Sequence, residues 1–311
     1  MSVVISVKTP EWMAPQAILA DLAPRLPEAQ LHLAEENSDP AAVEMLVVDG
    51  LGKGEAAAYP NLRLIQKLGA GVESILRQAD LPPQVRVARL RPDAPAREMT
   101  EYALAYVLRE QLNLTYFAAE QRAGRWSKRE PRQAPDTTVG VLGLGHIGGR
   151  VARTFAALDY RVLGYSRRPK QETGVTCLSG AEGLSELLGR SDYVVAVLPS
   201  TTETRDLMDA AAFATMKPGA VLINVGRGDL IVEGDLLASL DAGHLGGAVL
   251  DVLRREPLPA DHPFWQHPKV TITPHVSGWH LDDALGAVAE NYLRLRDGRP
   301  LLNEVDRRAG Y

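Results

Sequence analysis

The stretch VGVLGLGHIGGR at residues 139–150 decides the fold of this chain. An apolar run breaks at Gly143, Gly145 and Gly148 and continues with helical spacing, which predicts a strand, a tight turn and a helix. In such a unit Gly143 permits the turn, Gly145 lets a phosphate approach the backbone, and Gly148 lets the helix pack closely on the strand. The helix N-terminus adds free N–H groups and a positive dipole end. We therefore predict a dinucleotide site here, in preference to a purely structural turn.

The strand that follows the glycine turn ends in basic residues. Residues 160–165 are predicted to form this strand, and Ser166, Arg167 and Arg168 come directly after it. An NAD site usually has an acidic residue at this point, which accepts hydrogen bonds from the ribose hydroxyls. A serine and two guanidinium groups instead suit the 2′-phosphate of NADP. The sequence favours NADPH/NADP as cofactor, with NAD and a solvated basic loop as the alternatives.

Composition limits the classes of protein to consider. The 311 residues allow two ordinary domains, and 45% hydrophobic with 23% charged residues indicates a globular chain. The formal net charge of −5 gives no support for a nucleic-acid partner. No apolar run approaches the length of a membrane span, so we expect no membrane partner and a cytoplasmic location. Cys177 is the only cysteine, and no metal site is indicated.

Strand-like and helix-like segments alternate along most of the chain, which predicts an α/β fold with two doubly wound parallel-sheet domains. The glycine turn opens the second set of strands rather than the first. We therefore predict a Rossmann nucleotide domain, residues 99–283, inserted into a flavodoxin-like substrate domain formed by residues 1–98 and 284–311. A final helix is predicted over residues 281–296.

Three side chains suited to proton or anion chemistry follow predicted strands of the nucleotide domain: Arg227, Glu256 and His275. Each alone is more often a structural or solvated residue. Because the carboxyl ends of parallel strands line one crevice, we expect the three to lie together. An arginine fork holds a carboxylate, histidine exchanges a proton near neutral pH, and a neighbouring carboxylate keeps the imidazole protonated. Hydride transfer to a 2-keto acid needs these roles.

Two further segments are candidates for binding. In the first domain, Ala70, Gly71 and Val72 follow a predicted strand and are small enough to expose successive backbone N–H groups, which bind anions such as a carboxylate. The alternative is a simple strand-to-helix turn. Trp126 is the one large apolar residue in the polar segment 122–135. It is either packed locally or an anchor in a partner subunit.

Together the motifs resemble the D-isomer-specific 2-hydroxyacid dehydrogenase family over nearly the whole chain. They occur in the family's order and are LGAGVESIL, GLGHIG, NVGRGDLI, LDVLRREPLP and TPHVSG. The resemblance implies that His275 is the acid/base, Glu256 its carboxylate partner and Arg227 the substrate-binding cation, with the backbone of residues 70–72 binding the substrate carboxylate. Further site residues are expected at Trp279 for the substrate and, for the cofactor, at His146, Ile147, Leu198, Pro199, Val225, Gly226, Asp251 and Ser277.

The strand end SRR, the segment FWQHPKVTITPHVSG and the tail VDRRAGY are most similar to the branch of the family that reduces glyoxylate and hydroxypyruvate. This implies reduction of a small 2-oxo acid by NADPH to a D-2-hydroxy acid, in a homodimer built mainly through the nucleotide domains. Two positions depart from the family: Gly226 stands where alanine is common, and Ser166 where an acidic residue is common. The alternatives are an NAD-dependent member acting on another 2-oxo acid and a nucleotide-sensing binding protein. The intact Arg–Glu–His set argues against the latter.

Overall fold

The computed structural model describes residues 1–37, 39–281, 284–308 and 310. The chain divides into two compact units: unit 1 comprises Met1–Ala94 and Trp279–Tyr311, and unit 2 comprises Pro95–Gly278. The domain boundaries predicted from the sequence lie after residue 98 and before residue 284. Residues 282 and 283 of the predicted final helix, and residues 309 and 311 of the tail, lie outside the described residues.

Unit 1 is built on a parallel sheet with the flavodoxin-like strand order β2-β1-β3-β4-β5. Its described strands are β1 (Ser2–Ser6), β2 (Gln30–Leu33), β3 (Val43–Val48), β4 (Leu64–Lys67) and β5 (Arg86–Arg89). Helices α1 (Pro15–Arg25) and α9 (Leu285–Arg296) pack against each other and cover one face of the sheet. The short helix α2 (Glu73–Leu76) follows β4. The central strands are apolar on both faces because both faces are buried.

Unit 2 is built on a second parallel sheet, whose described strands run in the order β12-β11-β10-β9-β6-β7-β8. They are β6 (Thr138–Leu142), β7 (Arg161–Tyr165), β8 (Thr176–Leu178), β9 (Tyr193–Ala196), β10 (Val221–Asn224), β11 (Gly247–Leu250) and β12 (Val270–Ile272). The described helices are α3 (Asp93–Gln111), α4 (Leu114–Arg122), α5 (His146–Ala157), α6 (Gly180–Arg190), α7 (Ala210–Thr215) and α8 (Glu233–Asp241). Successive strand residues such as Leu222 and Ile223 enter opposite core clusters, so helices cover both faces. The predicted fold class is confirmed.

Two strands were not predicted from the sequence, and both lie at a sheet edge. β2 at the edge of unit 1 carries the partly exposed His32, and β8 at the edge of unit 2 is three residues long and begins at the exposed Thr176. Half-exposed edge strands lack the continuous apolar run that marks a buried parallel strand. Among the described helices, none has the length and apolar character of a membrane span.

The strand order of the unit 2 sheet determines where a crevice opens between the loops that follow its strands. β6 is the central strand from which the chain moves first to β7 and β8 and later, on the other side, to β9. Loops that leave the carboxyl ends of β6 and β9 therefore diverge, which opens a crevice at this switch point. The glycine turn follows β6 and the segment from Leu198 follows β9, so both lie at the crevice.

Candidate active site

The glycine turn has the geometry that a dinucleotide phosphate requires. Gly143 adopts φ +106°, and a Cβ there would lie 3.0 Å from the carbonyl oxygen of Val197. A Cβ on Gly148 would lie 1.7 Å from the carbonyl oxygen of Gly143, so only glycine lets α5 pack this close to the turn. Gly145 is different, because its φ of −76° is ordinary and a Cβ would meet no atom within 4 Å. Protein packing leaves this space open, and it lies at the N-terminus of α5, where Gly145 provides no side-chain cap. The turn fits a bound pyrophosphate.

The basic end of β7 is held in place by contacts on both sides. The Ser166 hydroxyl donates to the carbonyl oxygen of Arg168 at 2.7 Å, and Arg167 Nη1 lies 2.8 Å from Glu203 Oε2. Lys170, which was not among the predicted site residues, donates from Nζ to the carbonyl oxygen of Leu144 in the glycine turn. The run of basic residues after β7 was visible in the sequence. That one of them reaches back to the turn after β6 depends on the fold.

His275 and Glu256 form the hydrogen-bonded pair expected from the sequence. His275 Nδ1 lies 2.8 Å from Glu256 Oε2, and Glu256 Oε1 accepts a hydrogen bond from the Leu253 N–H at 2.8 Å. Burial raises the pKa of Glu256, but the bonds from His275 and Leu253 and the charges of His275 and Arg227 outweigh it and leave that pKa lowered. An ionised carboxylate only accepts hydrogen bonds, so Nδ1 is the donor and Nε2 faces away from the pair. With 51% of its side chain exposed, His275 is accessible to a ligand.

A buried carboxylate, Asp251, holds the loop that carries His275. Asp251 Oδ1 accepts from the Val276 N–H at 2.9 Å, Oδ2 accepts from the Ser277 N–H at 3.0 Å, and the backbone carbonyl accepts from the His275 N–H at 2.9 Å. His275 itself has φ +55°, a left-handed conformation that is unusual for a residue other than glycine. Three bonds from one residue thus stabilise a strained position. The cofactor contacts expected for Asp251 and Ser277 stay predictions.

The network extends from Asp251 to helix α3. Thr273 Oγ1 donates to Asp251 Oδ1 at 2.6 Å, and Tyr102 OH lies 2.6 Å from the same Thr273 oxygen. Because the Thr273 hydroxyl donates its proton to the Asp251 carboxylate, Tyr102 must be the donor in its hydrogen bond with Thr273. Burial raises the pKa of Tyr102 far above its ordinary value, which keeps this proton in place. The histidine loop is therefore braced from the helix as well as from β11.

Replacing Asp251 by asparagine is expected to lower the melting temperature by about 5–10 °C and kcat by about 10- to 100-fold. An amide accepts only through its oxygen, so its NH₂ group would face an N–H donor of the 276–277 backbone and loosen the His275 loop. Calorimetry and initial rates measure the two effects. Asp241→Asn is the control, since Asp241 is 74% exposed. Unchanged values for the Asp251 variant would contradict its role in holding the loop.

Arg227 is placed beside the His275–Glu256 pair by the glycines on either side of it. A Cβ on Gly228 would lie 1.9 Å from the backbone carbon of Leu253, so the turn after β10 packs directly on the loop that leads to Glu256. A Cβ on Gly226 would lie 2.7 Å from the carbonyl oxygen of Leu198, so alanine here would require the backbone to shift. Arg227 Nη1 donates to the carbonyl oxygen of Gly226 at 2.6 Å. The structure thus brings Arg227, Glu256 and His275 together in unit 2.

The predicted substrate residues of unit 1 lie on loops of that unit. Residues 70–72 connect β4 to α2; Val72 is buried, Ala70 and Gly71 are half-buried, and the carbonyl oxygen of Ala70 accepts from Arg89 Nη1 at 3.0 Å. The carbonyl oxygen of Trp279 accepts from Trp12 Nε1 at 2.9 Å, and the Trp279 side chain is partly exposed. Substrate binding by these residues stays a prediction.

The sequence matches a known family over most of unit 2. Residues 104–277 match the family described as "D-isomer specific 2-hydroxyacid dehydrogenase, NAD binding domain". The chain belongs to the D-isomer specific 2-hydroxyacid dehydrogenase family. The part of this dehydrogenase that matches contains the glycine turn and also Arg227, Glu256 and His275. The family resemblance seen in the sequence motifs is confirmed.

Relatives of this dehydrogenase include both curated sequences and solved structures. It is 39% identical over 308 residues to glyoxylate/hydroxypyruvate reductase A from Serratia proteamaculans (strain 568), covering 94% of this chain and 95% of the relative. It superposes with TM-score 0.91 and 37% identity on a D-isomer specific 2-hydroxyacid dehydrogenase from Xanthobacter autotrophicus Py2 in complex with NADPH and MES, covering 100% and 99% of the two chains. The NADPH-dependent glyoxylate/hydroxypyruvate reductase from Sinorhizobium meliloti, in complex with NADP and sulfate, gives TM-score 0.91 at 33% identity, with coverage of 100% and 99%.

Proposed function

We propose that this dehydrogenase reduces small 2-oxo acids such as glyoxylate and hydroxypyruvate to D-2-hydroxy acids with NADPH. The single observation that carries the proposal is the 2.8 Å bond between His275 Nδ1 and Glu256 Oε2, beside Arg227 and in the same unit as the glycine turn. This pair leaves Nε2 of an accessible imidazole to exchange a proton. The relatives named glyoxylate/hydroxypyruvate reductase support the choice of substrate.

In the proposed reaction Arg227 binds the substrate carboxylate and polarises the 2-oxo group. We assign carboxylate binding also to the backbone N–H groups of residues 70–72, and a wall of the substrate site to Trp279. When held by the glycine turn, NADPH would supply the hydride for the carbonyl carbon. His275 gives the proton on Nε2 to the carbonyl oxygen as that oxygen becomes an alkoxide, and Glu256 stabilises the imidazolium before the transfer and orients it during the transfer.

For the cofactor, we propose that the open space at Gly145 and the N-terminus of α5 bind the pyrophosphate, and that Ser166, Arg167 and Arg168 bind the 2′-phosphate. Relatives solved with NADPH or NADP support NADP(H) over NAD(H). We propose that further residues line the rest of the cofactor site. They are Gly143, His146, Ile147, Gly148, Leu198, Pro199, Val225, Gly226, Asp251 and Ser277.

Initial rates of NADPH and NADH oxidation with glyoxylate, hydroxypyruvate and phenylpyruvate test the proposal. We expect fast turnover with NADPH and the two small acids, and chiral chromatography should identify the glycerate formed from hydroxypyruvate as the D-isomer. A preference for NADH or for phenylpyruvate would make the protein a different member of the family. Absence of turnover with every pair would instead favour the nucleotide-sensing binding protein.

We also propose that the enzyme acts in the cytoplasm as a homodimer, with Trp126 as an anchor in the second copy. The Trp126 side chain is 95% exposed, which excludes the alternative of local packing. Its two neighbours are tied to the same carboxylate: Arg125 Nε lies 3.0 Å from Glu120 Oε2, and Ser127 Oγ donates to that oxygen at 2.5 Å. These bonds fix the loop so that the indole points away from its own unit.

Trp126→Ala is expected to weaken self-association by roughly 30-fold or more, the effect of truncating a tryptophan at an interface hot spot. Sedimentation velocity over a range of protein concentrations measures the dissociation constant. Trp265→Ala is the matched control, because Trp265 is 49% exposed and its Nε1 donates to Pro259 within its own unit at 2.8 Å. If the Trp126 variant dimerised as tightly as the wild type, Trp126 would not be an interface anchor.

A further inference from the structure

An ion pair in unit 2 joins two loops across the glycine turn. Arg167 follows β7 and Glu203 lies in the loop after β9, and their Nη1 and Oε2 atoms are 2.8 Å apart. In the sheet β6 lies between β7 and β9, and the turn from Gly143 to Gly148 follows β6. The pair therefore spans the carboxyl end of the central strand, at the switch point where dinucleotides bind in such sheets.

The loop that carries Glu203 is fixed by its own hydrogen bonds. Thr204 Oγ1 donates to the carbonyl oxygen of Pro199 at 2.6 Å and accepts from the Thr201 N–H at 2.8 Å. The Glu203 N–H donates to Thr201 Oγ1 at 3.3 Å. These bonds fix the backbone of the loop at Glu203. The Glu203 carboxylate therefore contacts Arg167 from a fixed position in the backbone.

A carboxylate bound to Arg167 competes with any other anion for the same guanidinium group. A 2′-phosphate that approaches Arg167 must displace the Glu203 carboxylate or bind close to its negative charge. A ribose with a free 2′-hydroxyl carries no charge at this position, so Glu203 does not repel it.

We propose that Glu203 is a specificity-determining residue whose carboxylate weakens binding of NADP(H) relative to NAD(H). It thereby sets how strictly the enzyme prefers one cofactor over the other. The proposal rests on the proposed function, because it takes Arg167 to be a ligand of the 2′-phosphate. Removing the charge of Glu203 should strengthen the preference for a 2′-phosphate, and removing Arg167 should weaken that preference and reduce the effect of Glu203.

Calorimetric titration of the full chain with adenosine 2′,5′-bisphosphate and with 5′-AMP tests this directly, because the two probes differ only in the 2′-phosphate. Glu203→Gln is expected to bind the bisphosphate about fivefold more tightly than the wild type, an effect in the range of exposed ion pairs, and 5′-AMP within about twofold. The Glu203 and Arg167 side chains are 62% and 42% exposed, so the substitution leaves the fold intact. In an Arg167→Ala background the same substitution should have a clearly smaller effect on bisphosphate affinity, because the competition for Arg167 is gone.

Glu186→Gln is the matched control, since Glu186 is exposed on α6 of the same unit and pairs with Arg190. It should leave both affinities unchanged. Unchanged or weaker bisphosphate binding by Glu203→Gln would overturn the proposal for Glu203. A wild-type protein that binds the bisphosphate no more tightly than 5′-AMP would contradict the proposed preference for NADP(H). Tighter bisphosphate binding by Glu203→Gln would still support the role of Glu203 in that case.

Discussion

Replacing His275 by alanine should lower kcat for glyoxylate reduction by about 10²- to 10⁴-fold, the contribution typical of a positioned general acid. Nδ1 of His275 is bound to Glu256 at 2.8 Å, so Nε2 is the nitrogen that we propose exchanges a proton with substrate. Alanine removes this donor and leaves the glycine turn unchanged. Fluorescence titration should therefore give an NADPH dissociation constant close to that of the wild type.

His32→Ala is the matched control for the loss of an imidazole, because His32 lies in the edge strand β2 of unit 1 and takes no part in the proposed site. Its kcat should equal that of the wild type. Wild-type turnover in the His275 variant would show that another group supplies the proton, and loss of NADPH binding would show that the substitution disturbs more than the acid.

Glu256→Gln separates the charge of the carboxylate from the presence of the imidazole. The lowered pKa of Glu256 keeps its negative charge until the pH falls through that pKa, so the carboxylate accepts the hydrogen bond from His275 Nδ1 throughout the neutral range. Glutamine has no charge, and its NH₂ group cannot accept from Nδ1, so kcat for glyoxylate reduction should fall by about 10- to 100-fold while the NADPH dissociation constant changes little. An unchanged kcat would contradict this role of the carboxylate.

The sequence was sufficient to predict those features that depend on local pattern. The glycine turn, the fold class and the strand-end positions of Arg227, Glu256 and His275 follow from periodicity, glycine spacing and the rule that parallel strands end at one crevice. The bond between His275 and Glu256 was expected because both residues follow neighbouring strands. Its donor atom and its length required the structure.

Other features depend on contacts between segments that are distant in the sequence. Tyr102 reaches Asp251 through Thr273, which is 171 residues away from Tyr102 along the chain. The pairing of Arg167 with Glu203 likewise depends on the order of β7, β6 and β9 in the sheet. A single sequence specifies the residue types but not which side chains meet, because many tertiary arrangements satisfy the same pattern.

These long-range contacts show that the proposed catalytic groups depend on several strand ends of unit 2. The carboxylate of Asp251, at the end of β11, fixes the loop after β12, while the backbone at Gly228, after β10, packs on the loop that leads to Glu256. Each group is thus oriented by a neighbouring strand end and not by its own loop alone. Such mutual support is what a site needs to hold reacting groups at fixed distances.

Replacing Arg227 by alanine is expected to lower kcat/KM for glyoxylate by about 10²- to 10³-fold, the loss that follows removal of a preorganised donor to a developing oxyanion. Arg227 is the cation that we assign to the substrate carboxylate and carbonyl, and its charge also contributes to the lowered pKa of Glu256. Because the pyrophosphate is assigned to another loop, the NADPH dissociation constant should change little.

Arg227→Lys distinguishes the shape of the guanidinium from its charge. Lysine keeps a positive charge but has no planar fork for a bidentate contact with a carboxylate, so most of the loss in kcat/KM should remain. Initial rates with glyoxylate and fluorescence titration with NADPH measure both quantities. Arg190→Ala, which removes an exposed arginine on α6, is the control and should leave both unchanged. Full activity in Arg227→Lys would reduce the role of Arg227 to charge alone, and full activity in Arg227→Ala would remove it from the substrate site.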